Sequence, residues 1–524
     1  MSPSKIDLSG FITLLNGVFP HPLPDDVLET RLIYCGGDSI LAATLAARCF
    51  RQYGVRVPVS LILSSERLHE VFDYVREHAT GAPVAASPQV AKVPGRFAQN
   101  AAQRLIYYAH SVDPATTAYN IPLILRTASA IPAPRFQQAV TDAARKFPML
   151  FSRFSQNTAG LWFEPGQPDE IALQAFSSIR AATEHFVQPF DLSSGMLLRA
   201  GIVPFNGIET VLLLDFSHIA ADGLSVGFFI QALKDHLTGI RTTLEATTFW
   251  PHTRDTPPEA EAFWKRRLQD VVVRPQWPAD HQQSTSAPLS YAVEYLLIDA
   301  VLAARIRQRA AQLDATPFSV LLTAYALLKI SFTHEWRSHV GVVVSGRAEA
   351  ELTDVFGMFV NTVIVPFALD ADGQVGAAIQ TLATQFLGTL DHQSYPFQVQ
   401  LHHVQNRNEV PRPTLDALLV YQNIDYQKID VVGGKFRSFC EAKKMAQFPQ
   451  VIHVFDLGEQ GYEIQWEYCP QRFDADTIGV FTNNLLRILR RLVSSPVSAE
   501  LRTLVETEVP NTLATPIVVP DFDF

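Results

Sequence analysis

Residues 210–225, Thr-Val-Leu-Leu-Leu-Asp-Phe-Ser-His-Ile-Ala-Ala-Asp-Gly-Leu-Ser, decide how the larger part of the chain folds. The apolar run Thr210–Phe216 predicts a buried strand that delivers His218 at its end. After the loop, Phe229, Leu233 and Leu237 recur at helical spacing, and Ser225 is placed to cap that helix. Such a strand–loop–helix holds an imidazole at a sheet edge, where a substrate can reach it. An imidazole titrates near neutrality, so His218 can take a proton or a hydrogen bond from an attacking amine. A histidine beside a strand is also commonly a packed, satisfied side chain, and the local pattern leaves both readings open.

Working outward, apolar runs such as Val340–Val344 alternate with amphipathic stretches such as Thr316–Ser331 and Thr477–Leu492. That alternation predicts an α/β architecture. More than 400 residues of this character exceed a single core, and the Pro-rich, Trp-containing stretch Arg274–Pro288 is the expected division. Upstream, Thr80–Gly95 (TGAPVAASPQVAKVPG) has no helical or strand period and reads as a linker. Ahead of it Leu41, Leu45 and Cys49 recur at i, i+4, i+8 before Gly54. Leu68, Val71, Phe72 and Val75 form a second stripe, so a small helical bundle is expected. The layout is therefore a helical unit over 1–79, a linker over 80–95, two α/β lobes over 96–275 and 276–508, and an irregular tail over 509–524.

The segment Gly36-Gly37-Asp38-Ser39-Ile40 stands at the mouth of the Leu41 helix. Two glycines let the backbone bend and keep the approach to Ser39 open. Asp38 or Ser39 can cap the helix, whose free N–H groups and dipole favour an anionic group. The tetrapeptide by itself reads equally as a turn and cap. The longer stretch LIYCGGDSILAATLAARCFRQYGVRVPVSLIL, Leu32–Leu63, resembles the peptidyl carrier domains of nonribosomal peptide synthetases, a resemblance that covers about Ile6–His78. It implies a four-helix carrier bundle in which a phosphopantetheinyl transferase attaches 4′-phosphopantetheine to Ser39. The arm would hold a peptidyl thioester received from upstream synthetase modules.

The Ser217–Ser225 segment resembles the HHxxxDG motif of condensation domains, which have the chloramphenicol acetyltransferase-like fold. Further blocks follow in the family's order. Ala102-Gln103-Arg104-Leu105 with Tyr119-Asn120-Ile121-Pro122 resembles the opening block, and Phe147–Phe154 a degraded second one. Gly357-Met358-Phe359-Val360-Asn361-Thr362 is similar to GxFVNT, and His392-Gln393-Ser394-Tyr395-Pro396-Phe397 to HQDYPF. The resemblance implies two α/β lobes in a V, with the catalytic His218 in a tunnel between them. Ser217 replaces the motif's first histidine. SHxxxDxxS is similar to the terminal condensation domains of fungal synthetases, of the fumiquinazoline-forming kind, which release products by cyclisation. By that resemblance an internal nitrogen of the peptide attacks the thioester, and one carrier suffices. Ordinary chain-elongating condensation is the alternative. The family's motif aspartate pairs with a lobe-bridging arginine, which makes Asp222 structural and Arg347 its candidate partner. Gly223 leaves room beside the thioester. Asn361 is either a hydrogen-bond donor to substrate or oxyanion, or a structural amide.

Composition narrows the rest. Apolar residues make up 47% and charged residues 18%, so extensive burial is expected. A net charge of −10 without long single-sign runs argues against a nucleic-acid partner. No run approaches a membrane span, and Met1–Gly10 has no apolar signal core. Cys35, Cys49, Cys440 and Cys469 lack metal or disulfide spacing, which fits a reducing cytoplasm, and no metal site is expected at His402-His403. Gly223-Leu224-Ser225-Val226-Gly227 formally matches the nucleophile elbow of thioesterases, but Ser225 stands well past the end of its strand. Ser217 and His218 are neighbours on an extended segment and point to opposite faces. An epimerase would carry an acidic EGHGR-like block, which the sequence lacks. An inactive recruitment platform need not keep His218, Asp222 and Gly223.

Overall fold

The computed structural model describes residues 7–18, 23, 26–32, 39–79, 95–158, 160–239, 258–271, 277–281, 289–347, 352, 354–408, 415–422 and 429–505. The expected linker (Gly95 apart), the tail over 509–524, Cys35 and Gly36–Asp38 lie outside these residues.

Four helices, α1 (Leu8–Val18), α2 (Ser39–Tyr53), α3 (Val59–Ser64) and α4 (Leu68–His78), form the N-terminal bundle. The two stripes read from sequence meet in its core: Leu45 and Cys49 of α2 and Val71 and Val75 of α4 are fully buried, with Phe11 and Ile62. Helix α2 stops at Gly54, whose left-handed φ of 72° lets its N–H bond the Phe50 carbonyl at 2.8 Å.

The N-terminal lobe runs β1 (Phe97–Ala98), α5 (Ala101–Val112), β2 (Asn120–Arg126), α6 (Ala133–Ala144), β3 (Arg153–Asn157), β4 (Gly160–Glu164), β5 (Leu173–Ala175), α7 (Ile179–His185), β6 (Leu198–Phe205), β7 (Glu209–Ser217) and α8 (Gly223–Thr238). The predicted strand is β7, a central strand paired antiparallel to β2 and β6. Its run Val211–Leu214 is wholly buried, as a strand covered on both faces must be.

The C-terminal lobe continues with α9 (Pro258–Arg267), β8 (Ala292–Ile298), α10 (Ala300–Gln312), α11 (Pro317–Thr333), β9 (Arg337–Val344), β10 (Asn361–Ala368), α12 (Val375–Leu390), α13 (Phe397–Asn408) and β11 (Leu418–Gln422). There follow β12 (Asp430–Val431), β13 (Gly434–Lys435), β14 (Arg437–Ser438), β15 (Gln450–Asp456), β16 (Tyr462–Tyr468), α14 (Ala475–Ser494) and α15 (Arg502–Val505). Its six-stranded sheet has the order β10-β9-β11-β15-β16-β8. Thr316 caps α11, Pro317 fills its first position, and the helix is buried along nearly its whole length. No single described helix is long and apolar enough to cross a membrane. Helices α10 and α11 pass that test only as a pair bent by 103°, and α11 lies in this lobe's core.

Two features revise the lobe division drawn near Arg274–Pro288. Helix α9 already belongs to the C-terminal lobe: Trp264 is fully buried in its core and donates Nε1–H to the His392 carbonyl at 3.1 Å. Trp277, inside the expected seam, packs 4.9 Å from the Phe481 ring, and its backbone N–H bonds Asp416 at 2.8 Å. Conversely, β14 leaves the C-terminal lobe and pairs with β2 as the edge strand of the other lobe's sheet, while Val431 and Phe436 fill that lobe's core. A Pro-rich stretch signals irregular backbone, not which core its aromatic side chains enter.

Candidate functional site

The His218 loop is fastened to both neighbouring elements. Its backbone N–H donates to the Tyr119 carbonyl at 2.8 Å, and Gln103, part of a capping box at the start of α5, donates Nε2–H to the Ile219 carbonyl at 3.3 Å. The opening sequence block therefore braces this loop. His218 Nδ1 lies 2.9 Å from the Ala221 carbonyl oxygen. That acceptor requires the proton on Nδ1 and leaves Nε2 with its lone pair. Burial holds the imidazole below its ordinary pKa against the opposing charge of Asp222, so the ring is neutral at pH 7.

The Asp222 carboxylate is occupied by hydrogen bonds from both lobes. It caps α8 by accepting from the Ser225 N–H at 3.0 Å, and it takes the Phe359 N–H at 3.2 Å. Arg347 Nη2 reaches both carboxylate oxygens, at 2.9 and 2.8 Å. The pair is 1% and 5% exposed. Arg347 Nη1 also donates to the carbonyls of Leu352 and, at 2.7 Å, Val355. Gly346 makes this approach possible: a Cβ there would stand 1.8 Å from the Phe359 carbonyl oxygen, and its φ is 66°. Asp222 and Arg347 thus tie the N-terminal lobe to the strand ends of the C-terminal one.

The helix begins at Gly223 with Asp222 as cap, so Ser225 is not the capping residue its position suggested. The buried Ser225 hydroxyl lies 2.8 Å from both Asp222 Oδ1 and the Gly357 carbonyl and accepts the Gly357 N–H at 2.9 Å. It is a strut between lobes and has no histidine partner among the described residues. Ser217 Oγ is fully buried and has no hydrogen-bond partner among the described residues. Asn361 spends its amide on backbone: Nδ2 donates to the carbonyls of Gln393 (2.8 Å) and Tyr395 (2.7 Å), and Oδ1 accepts from the Phe397 N–H at 3.3 Å. These bonds hold the His392–Phe397 block in place, and Asn361 also lines the cavity between the lobes. His403 meets the Tyr395 hydroxyl at 2.6 Å.

Between the lobes lies a cavity of about 670 Å³, mostly apolar, lined by His218, Gly223, Asn361 and both sheets. Val59 of α3 also lines it. The bundle is held there by Ser60, which hydrogen-bonds Asp391 after α12, and by Arg31, 3.0 Å from Asp314.

One group of cavity residues escaped the sequence reading. Lys443 Nζ is 2.7 Å from Glu467 Oε1, which also takes the Tyr291 hydroxyl at 3.2 Å and faces His453 Nε2 at 3.6 Å. Gln422 meets His453 Nδ1 at 3.2 Å. Burial pushes the Glu467 carboxyl up, but Lys443 and His453 outweigh it and hold it far below the usual carboxylate range. The sequence signal is the alternation Tyr-Glu-Ile-Gln-Trp-Glu-Tyr over 462–468, which reads as a strand with one face in water.

Residues 95–508 match the family model described as the condensation domain, and residues 10–75 that of the phosphopantetheine attachment site. Tyrocidine synthase 3 of Brevibacillus parabrevis is 23% identical over 501 residues, covering 91% of this chain and 8% of that protein. Bacitracin synthase 3 of Bacillus licheniformis is 24% identical over 478 residues, 88% of this chain and 7% of that one. The chain therefore spans only a small part of the length of these relatives. A holo four-domain nonribosomal peptide synthetase superposes with a TM-score of 0.68 at 17% identity, covering 80% of this chain and 35% of that one. The X-domain from teicoplanin biosynthesis gives 0.67 at 16% identity, covering 79% and 99%. The two-lobed chloramphenicol acetyltransferase-like α/β fold is common to all three.

Proposed function

The chain belongs to the condensation-domain family and carries a phosphopantetheine-bearing domain ahead of it, and on that premise we propose that it is a nonribosomal peptide synthetase didomain that closes a ring. The arm is assigned to Ser39, the first residue of the 15-residue helix α2, where first-turn N–H groups without intrahelical partners suit a phosphodiester. 4′-Phosphopantetheine bound there would supply the thiol that holds the peptidyl chain as a thioester.

The observation that carries the reading is the neutral His218, with Nδ1 committed to Ala221 and Nε2 available in a cavity that the bundle also touches through Val59. His218 Nε2 accepts a hydrogen bond from the attacking N–H and orients the nitrogen toward the acyl carbon. As the C–N bond forms and the C–S bond breaks, His218 takes the proton from nitrogen and returns it to the departing sulfur. An aromatic amine is already neutral at pH 7, so for such a nucleophile positioning outweighs deprotonation.

Cyclisation, of the fungal fumiquinazoline-forming kind, is supported by Ser217-His218 in place of two histidines. In this reading the peptide's own nitrogen is the nucleophile. The test is to load peptidyl-pantetheine onto the chain and analyse the products by mass spectrometry. Cyclic peptide released without an added carrier is expected. Amide formation to an amine on a carrier supplied in trans, with no ring product, overturns cyclisation in favour of elongation. Tight binding of the loaded carrier without turnover would instead identify a recruitment platform.

A further inference from the structure

Strands β11, β15 and β16 line part of the cavity, and among their apolar side chains stand four polar ones, Gln422, His453, Gln465 and Glu467. Residues 462, 464, 466 and 468 of β16 are buried in the lobe's own core, so Gln465 and Glu467 face the cavity instead. All the contacts of the Glu467 carboxylate converge on Oε1, and no described residue hydrogen-bonds Oε2. The Lys443 ammonium has that same Oε1 as its one hydrogen-bond partner among the described residues, and it stands 4.7 Å over the Tyr291 ring. An ammonium has three donors, so two are left for the cavity. A buried ion pair with an unused acceptor and unused donors is costly unless something in the cavity satisfies them. Lys443, Glu467 and His218 line the same cavity.

We propose that Lys443 and Glu467 form a substrate subsite for an amide of the acyl chain, Glu467 Oε2 accepting its N–H and Lys443 Nζ donating to its carbonyl. The chemistry selects a neutral ligand with donor and acceptor side by side. An anion meets Glu467, a cation meets Lys443, and a plain alkyl chain leaves both unsatisfied. The inference rests on the condensation reading in that it assigns the cavity to a peptidyl chain, and it makes the wall a sensor of peptide against fatty acyl.

The test is calorimetric binding to the full chain, unmodified at Ser39. The probes are tripeptides joined through an amide to aminopantetheine, and analogues of equal length with single peptide bonds replaced by ethylene. Hydrogen bonds to charged groups carry roughly ten- to a hundredfold in affinity. Wild type is expected to favour the tripeptide over the analogue lacking the critical amide by about tenfold or more. The double variant Lys443→Met with Glu467→Gln removes both charges together and should lose that preference. Glu467→Asp keeps the ion pair but withdraws the acceptor by one methylene, and should weaken the preference even if the double variant melts early. Equal binding of all probes by wild type, or unchanged preference in the variants, overturns the subsite. Product formation is scored separately: preference without any amide product refutes the condensation reading and leaves the subsite standing.

Discussion

Removing one member of the Asp222–Arg347 pair should destabilise the fold by an amount its surroundings predict. Both side chains are almost completely buried, and breaking a buried pair from one side leaves an uncompensated charge worth about 3–5 kcal/mol. Arg347→Ala belongs at the upper end. It strips Asp222 of its counter-ion and leaves the carbonyls of Leu352 and Val355 without their donor. Asp222→Asn belongs at the lower end, because an amide still caps α8 while Arg347 keeps those two carbonyls. With an unfolding entropy of roughly 2.1 cal/mol/K per residue over the roughly 400 residues of 95–508, the loss corresponds to about 4–6 °C in Tm. Thermal melts of the full chain, monitored by circular dichroism, provide the measurement. The double change Asp222→Leu with Arg347→Met should recover part of the deficit, since an apolar pair leaves no buried charge. Single variants melting within about 1 °C of wild type, or a double variant no better than the worse single, would refute the reasoning.

Ser39→Ala should abolish the mass increase of one phosphopantetheinyl group seen when the chain is incubated with a transferase and coenzyme A; persistent labelling would place the arm elsewhere. His218→Ala should slow product formation by about 10²–10⁴-fold while leaving that labelling intact, and near-wild-type turnover would remove the residue from the mechanism. Because burial lowers the His218 pKa, the neutral ring persists below the ordinary imidazole value of about 6.5, so the acid limb of the rate profile should fall below that pH. The same shift costs stability as pH falls through the unfolded value, where the unfolded chain gains a proton that the folded one does not, and a midpoint above it would contradict the geometry. Ser225→Ala should lose about 1–3 kcal/mol of stability yet keep most of its activity per folded molecule, and complete inactivity with an intact melt would restore Ser225 as a nucleophile.

The elements legible in sequence were those whose period matches their burial. The run 211–216, the Leu41–Cys49 stripe and the 316–331 helix each announce a buried face, and each is where the pattern places it. Motif order also brought together blocks distant in the chain: Gln103, Tyr119, Gly357 and Gln393 all hydrogen-bond the His218 or Arg347 loops. Illegible were features that depend on which lobe a segment joins. Nothing in Trp264 or Trp277 says which core receives it, and β14 is a two-residue strand too short to carry a period. Glu467 was missed for another reason. Its strand alternates as a half-exposed strand does, but its polar face looks into a cavity walled by the other lobe.

Strand β14 has a consequence for traffic through the molecule. Backbone passes from one lobe to the other where Arg437 and Ser438 pair with Ile124 and Leu123, and the lobes are clamped again at Asp222, Arg347 and Gly357. Ser438 and Asp222 both border the cavity. The cavity is therefore bordered by a crossing between the lobes at each of these two places. In the cyclising reading, both the linear chain and the ring made from it would have to pass between these crossings, so their separation would bear on the size of ring released, independently of how well the linear precursor binds.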